Sequence, residues 1–149
     1  MKKRIYTFMA VFLLAFLLPS CNLTAEEREY YANKENYVTA AGTLTFMNYN
    51  EEKTALYLGF SDLTPRFSDD CFQIVGENFL TAEKNRISQK IQIGTRIEFV
   101  SATRYFGDGY VMPIVAVSVD GEVLLSFDEG FDNFQEWLKE QQPFMALKA

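Results

Sequence analysis

The residues best suited to chemistry are the aromatic turn Tyr105-Phe106-Gly107-Asp108-Gly109-Tyr110 and a scatter of carboxylates. Three aromatic rings around two glycines and one acid can stack on sugar faces or anchor a protein partner. The same residues can instead form a hairpin braced by a Tyr105–Tyr110 cross-strand pair, with Phe106 folded inward. Both readings stay open at this level. A carboxylate pair, Asp69 or Asp70 with Asp108, offers general acid–base chemistry, although acids in polar loops are usually just solvated. The run Asp128-Glu129-Gly130-Phe131-Asp132 lacks the spaced oxygen ligands of a calcium loop. Capping of a following helix accounts for those acids more simply.

Much catalytic chemistry is excluded by what the chain lacks. It has no histidine, which removes Ser-His-Asp and Cys-His catalysis, histidine-containing zinc sites and histidine pH switching. Only two cysteines occur, Cys21 and Cys71. No Gly-rich phosphate loop is present, and Ser88-Gln89-Lys90 misses the Ser-x-x-Lys spacing by one. Asp69 and Asp70 precede Cys71 and oppose its thiolate, so Cys71 is expected to be buried and inert. The expectation is therefore no enzyme, no catalytic residue, no cofactor and no metal.

The chain opens with Lys2, Lys3 and Arg4, then an apolar run from Phe8 to Leu18. That run is shorter than the ~20 residues that span a bilayer, so it reads as a secretory leader rather than an anchor helix. Its end, Leu18-Pro19-Ser20-Cys21, resembles the lipobox of bacterial lipoproteins. The resemblance implies cleavage after Ser20, acylation of the Cys21 sulfur, and a protein anchored in the bilayer on the extracytoplasmic face of the bacterial cell membrane. It also withdraws Cys21 from disulfide pairing. Residues 1–20 are then the signal peptide, 21–36 a polar tether, and 37–149 a single domain. Within the tether, Thr24 and Glu27 have the spacing of a capping box.

The leader takes three of the 14 basic residues and none of the 20 acidic ones, leaving 11 against 20, a balance of −9. Phosphate backbones attract clustered Lys and Arg, and no such cluster is present. Nucleic acid is disfavoured as a partner. An acidic body beside an anionic membrane is also repelled, so the lipid must hold it there.

Aromatic and β-branched residues give a strand-rich pattern. Residues 37–48 read as a first strand, with Gly42 marking a bulge or bend. Residues 54–60 form a second, 62–70 a polar loop, and 71–75 a third. Residues 78–90 switch to helical period, with Leu80, Ile87 and Ile91 on one stripe. Strands follow at 96–105 and 111–119, and Asp120-Gly121 turns the chain into a return strand at 122–127. Asp132 and Gln135 then open a helix carrying Phe131, Phe134, Trp137 and Leu138 before Pro143.

Three strands, a helix and two long strands resemble an OB-fold, with Ile93 to Val100 and Tyr110 to Val117 similar to its last hairpin. The resemblance covers about residues 37–125, and the final strand and helix are additions to it. It implies a mainly β barrel of five to six strands. An SH3-like barrel or a small α+β roll would also suit the added elements. In OB-folds the loop between strands four and five walls the binding groove, which makes Tyr105, Phe106, Asp108 and Tyr110 the candidate ligand-binding residues. The expected role is recognition of an envelope protein or an extracellular ligand such as a glycan. An accessory subunit of an envelope complex is the alternative, with a carboxylate-based hydrolase behind both.

Overall fold

The computed structural model describes residues 23–67, 71–104 and 111–141. In chain order the elements are α1 (Ala25–Ala32), a 3-10 turn (Lys34–Asn36), β1 (Tyr37–Tyr49), β2 (Ala55–Thr64) and β3 (Cys71–Val75). There follow α2 (Gly76–Lys84), α3 (Ile87–Lys90), β4 (Arg96–Ala102), β5 (Met112–Val119), β6 (Glu122–Leu125) and α4 (Phe127–Glu140). The six strands form one mainly antiparallel sheet, in the order β3-β2-β1-β4-β5-β6, with helices packed on it.

β1 organises the sheet because it is long enough to pair twice. Its first half pairs with β4, from Tyr37 opposite Ala102 to Thr43 opposite Arg96. Its second half pairs with β2, ending with Tyr49 opposite Leu56. The changeover falls at Gly42, where the register with β2 shifts between Ala41 and Thr43. A Cβ at Gly42 would lie 2.9 Å from Leu63 Cδ2 and 3.0 Å from Phe60 Cβ, so the bend needs glycine for close approach.

A parallel contact between β3 and β5 then connects the sheet's first strand back to its fifth. The pairings run β1–β2–β3–β5–β4 and return to β1. Alternation puts Leu44, Leu56, Leu58, Phe60, Phe72, Ile74, Ile97 and Phe99 on the inner face, each at most 2 % exposed. α2 and α3 cover one end of that core through Phe79, Ala82 and Ile87.

A second apolar layer lies on the outer face, where α4 packs against β5 with Tyr31, Tyr37, Val115, Phe131, Phe134 and Leu138. Gly130 permits the contact, since a Cβ there would fall 1.7 Å from the Val115 carbonyl oxygen. Buried Asn78 ties α2 to the same helix. Its Nδ2 donates to Gly130 O at 2.8 Å, and its Oδ1 accepts from Asn133 Nδ2 at 3.1 Å.

The structure differs from the sequence reading in several places. The expected single helix at 78–90 is two, because Arg86 is left-handed (φ 62°) and resets the helical phase. Ile87 and Ile91 therefore face inward without Leu80, which is 56 % exposed. β2 runs to Thr64, past the expected end at residue 60. The last helix begins at Phe127 rather than near Asp132, following extended Ser126, with Asp128 and Glu129 in its first turn. Cys71 is half-buried, not fully buried. The turn at Asp120-Gly121 has positive φ at both residues, as a two-residue hairpin of that sequence favours.

Candidate functional site

The turn residues Tyr105, Phe106, Asp108 and Tyr110 lie outside the described residues, as do Cys21, Asp69 and Asp70. What the structure describes is the frame that carries both ends of the turn.

The register of β3 and β5 fixes one side of that frame. Phe72 stands opposite Met112, and Gln73 opposite Pro113. Phe72 is the second residue after the β2–β3 loop, and Met112 is the second after residues 105–110. The two connections therefore enter the sheet side by side. Beneath them lies an aromatic floor. Phe72 meets Phe60 at 5.6 Å, Phe67 at 5.2 Å and Phe99 at 4.9 Å between ring centroids, all edge-on or tilted. Phe60 and Phe99 stack at 4.6 Å. Phe67, half-buried in the β2–β3 loop, closes this cluster from the loop side. Such pairs contribute ~0.5–1.5 kcal/mol each beyond the area they bury.

The outgoing side is held by hydrogen bonds. β4 and β5 slip register at Val100/Ser101. Buried Ser101 fills the irregularity, its single Oγ–H shared between Pro113 O at 2.8 Å and Ala102 O at 3.0 Å. Pro113 offers no N–H to a ladder, so a side-chain bond to its carbonyl compensates in part for the interrupted pairing.

α1 grips the same place from outside. The capping box expected of Thr24 and Glu27 is formed, with Thr24 N donating to Glu27 Oε2 at 2.8 Å and Glu27 N to Thr24 Oγ1 at 3.1 Å. Tyr30 Oη bonds Thr103 Oγ1 and accepts from Thr103 N at 3.2 Å. Tyr31 Oη donates to Arg104 O at 3.2 Å. The Arg104 guanidinium lies over the Tyr30 ring at 4.4 Å and reaches Glu26 Oε1 at 3.5 Å. At the helix end, Tyr31 O accepts from both Tyr37 Oη and Gln135 Nε2 at 2.8 Å, and Tyr30 O accepts from Asn36 Nδ2 at 2.8 Å. Carbonyls that helix termination would leave open are thereby satisfied. Burial pushes the Tyr31 and Tyr37 phenols far above their ordinary value, each helped by a neighbouring tyrosine, so both remain hydrogen-bond donors.

The described part of the segment expected as a tether is thus folded, with Leu23 and Tyr31 buried at 4 % and 1 % exposure. Composition gave little sign of this, because 23–36 is mostly polar and its few apolar residues fall on no regular stripe. The usable signal was the pair Tyr30-Tyr31, two large rings in an otherwise charged stretch.

Among the described residues no group of three or more His, Cys, Asp or Glu is placed to hold a metal. Two open depressions mark the outer sheet face. One, of about 240 Å³, is lined by Thr39, Val100, Val123 and Phe127 among others. The other, of about 280 Å³, carries Arg96, Glu98 and Asp120. No helix among the described residues is long and apolar enough to cross a membrane. Comparison with family models, with curated proteins and with solved structures found no match to this chain.

Proposed function

We propose that this chain is a lipid-anchored recognition module whose body is a small OB-like barrel. Support for the barrel comes from the strand pairings. β1 is shared by β2 and β4, β3 runs parallel to β5, and the helical segment lies between β3 and β4. Support for the anchor is the Leu18-Pro19-Ser20-Cys21 sequence.

The observation that carries the recognition role is the Phe72–Met112 pairing. It brings the roots of the β2–β3 loop and the aromatic turn together over one floor of phenylalanines. Phe67 on one connection and the ring types of Tyr105, Phe106 and Tyr110 on the other suit an aromatic-stacking ligand or a protein partner. Asp108 and the mature balance of −9 favour a neutral or basic ligand over nucleic acid.

Fractionation tests the anchor. The native protein should float with membranes, and globomycin should block its maturation. Cys21→Ala should move the protein to the soluble exported fraction, and normal membrane retention of that variant would overturn the reading. Binding is tested with a triple Ala replacement of Tyr105, Phe106 and Tyr110. It should abolish ligand capture while leaving thermal stability within a few degrees, and unchanged capture would count against the turn.

A further inference from the structure

We infer that the domain lies directly on the bilayer rather than standing off on a stalk, with Thr24 and Arg28 toward the lipid headgroups. The inference rests on the reading of Cys21 as the lipid anchor. Leu23 is 4 % exposed and belongs to the outer apolar layer. Two residues of extended chain span about 7 Å at most. An acyl chain on Cys21 therefore leaves almost no slack between membrane and body. Thr24 begins α1 immediately afterwards, locked by its capping box.

On this face Arg28 is the cation of α1, set among Glu26, Glu27 and Glu29. Arg28 Nη2 donates to Leu23 O at 3.3 Å, which places its guanidinium against the residue two after the anchor. Among the described residues no carboxylate lies within 4.0 Å of it, whereas Arg104 is engaged by Glu26. Arg28 is half-buried, and its Nε is enclosed without a hydrogen-bond partner. A guanidinium without an ion-pair partner beside the anchor suits the phosphate of a neighbouring lipid through its terminal Nη protons, since its Nε is enclosed.

The consequence concerns the candidate site. Arg104, the last described residue before the turn, touches Glu26 and Tyr30 on α1. The chain therefore enters residues 105–110 beside α1, on the anchored side of the body. The opposite end of β1 leads to Lys53, roughly 40 Å of strand contour away.

The test uses the acylated protein in vesicles of phosphatidylcholine with a minor fraction of phosphatidylglycerol. With Cys71→Ser removing the other thiol, a fluorescent donor is placed by Ala25→Cys, exposed at the start of α1, or by Lys53→Cys, and the acceptor is a headgroup-labelled lipid. Direct apposition gives several-fold stronger energy transfer from position 25 than from 53, and Arg28→Glu reduces the transfer from 25. Equal transfer from both positions, with the protein cofloating with vesicles, overturns the inference while leaving the anchor intact. Failure to cofloat at all would overturn the anchor itself.

Discussion

Phe72 and Met112 face each other across a parallel pairing, both fully buried, although 40 residues separate them in the chain. Each follows closely on a loop, so their contact determines that the two loops share one end of the sheet. Phe72 also touches Phe60, Phe67 and Phe99. Phe72→Ala should cost about 3–5 kcal/mol through transfer and cavity terms. Phe67→Ala, at a half-buried loop position, should cost clearly less while weakening ligand capture more. Denaturant titration of both variants beside a binding assay checks the contrast.

Gly130 lets α4 approach β5 closely, with room for no Cβ beside Val115 O. Gly130→Ala should destabilise by about 3 kcal/mol or more, despite the better helix propensity of alanine. A gain in stability would show that α4 sits farther from β5 than described.

Stability should fall in alkali. Tyr31 and Tyr37 have folded pKa values raised by burial, so the folded state holds their protons where the unfolded chain, near pH 10, releases them. The contribution is fully present below about pH 10 and is lost as the pH rises toward the folded values. Equilibrium unfolding at pH 8, 10 and 11 should show the decline. Tyr37→Phe should lower stability at pH 8, through loss of the bond to Tyr31 O, and flatten the decline above pH 10.

The clamp of α1 on Thr103 and Arg104 should be visible in amide exchange. Tyr30→Phe removes the phenol that bonds both Oγ1 and N of Thr103. Exchange at residues 103–104 should quicken while that of buried β5 amides stays unchanged. Uniform quickening would mean that α1 supports the whole fold rather than the base of the turn.

Much of the sheet was legible because its strands alternate or punctuate themselves. Ile97, Phe99 and Ser101 point inward as their spacing indicates, and Gly42 marks the bend of β1. The helical boundaries were less legible. Arg86 takes a left-handed conformation that few non-glycine sequences announce, and Ser126 starts α4 without a side-chain cap. The packing of α1 was least visible, since it depends on Tyr30 and Tyr31 meeting Thr103 and Arg104 more than 70 positions away. The residues of the aromatic turn were proposed from their own side chains and from the resemblance to the OB-fold loop between strands four and five, and the structure contributes the frame on either side of them: Ser101 on Pro113, Tyr31 on Arg104, and Met112 beside Phe72.

The most direct test of the recognition surface is a photo-activated cross-linker placed at Phe106 in the membrane-bound protein in cells, with Lys53 as control. The account predicts one defined cross-linked species from position 106 that is lost on replacing Tyr105 and Tyr110 with Ala, and none from position 53. Identical products from both positions, or persistence of the species in the double Ala background, would contradict it.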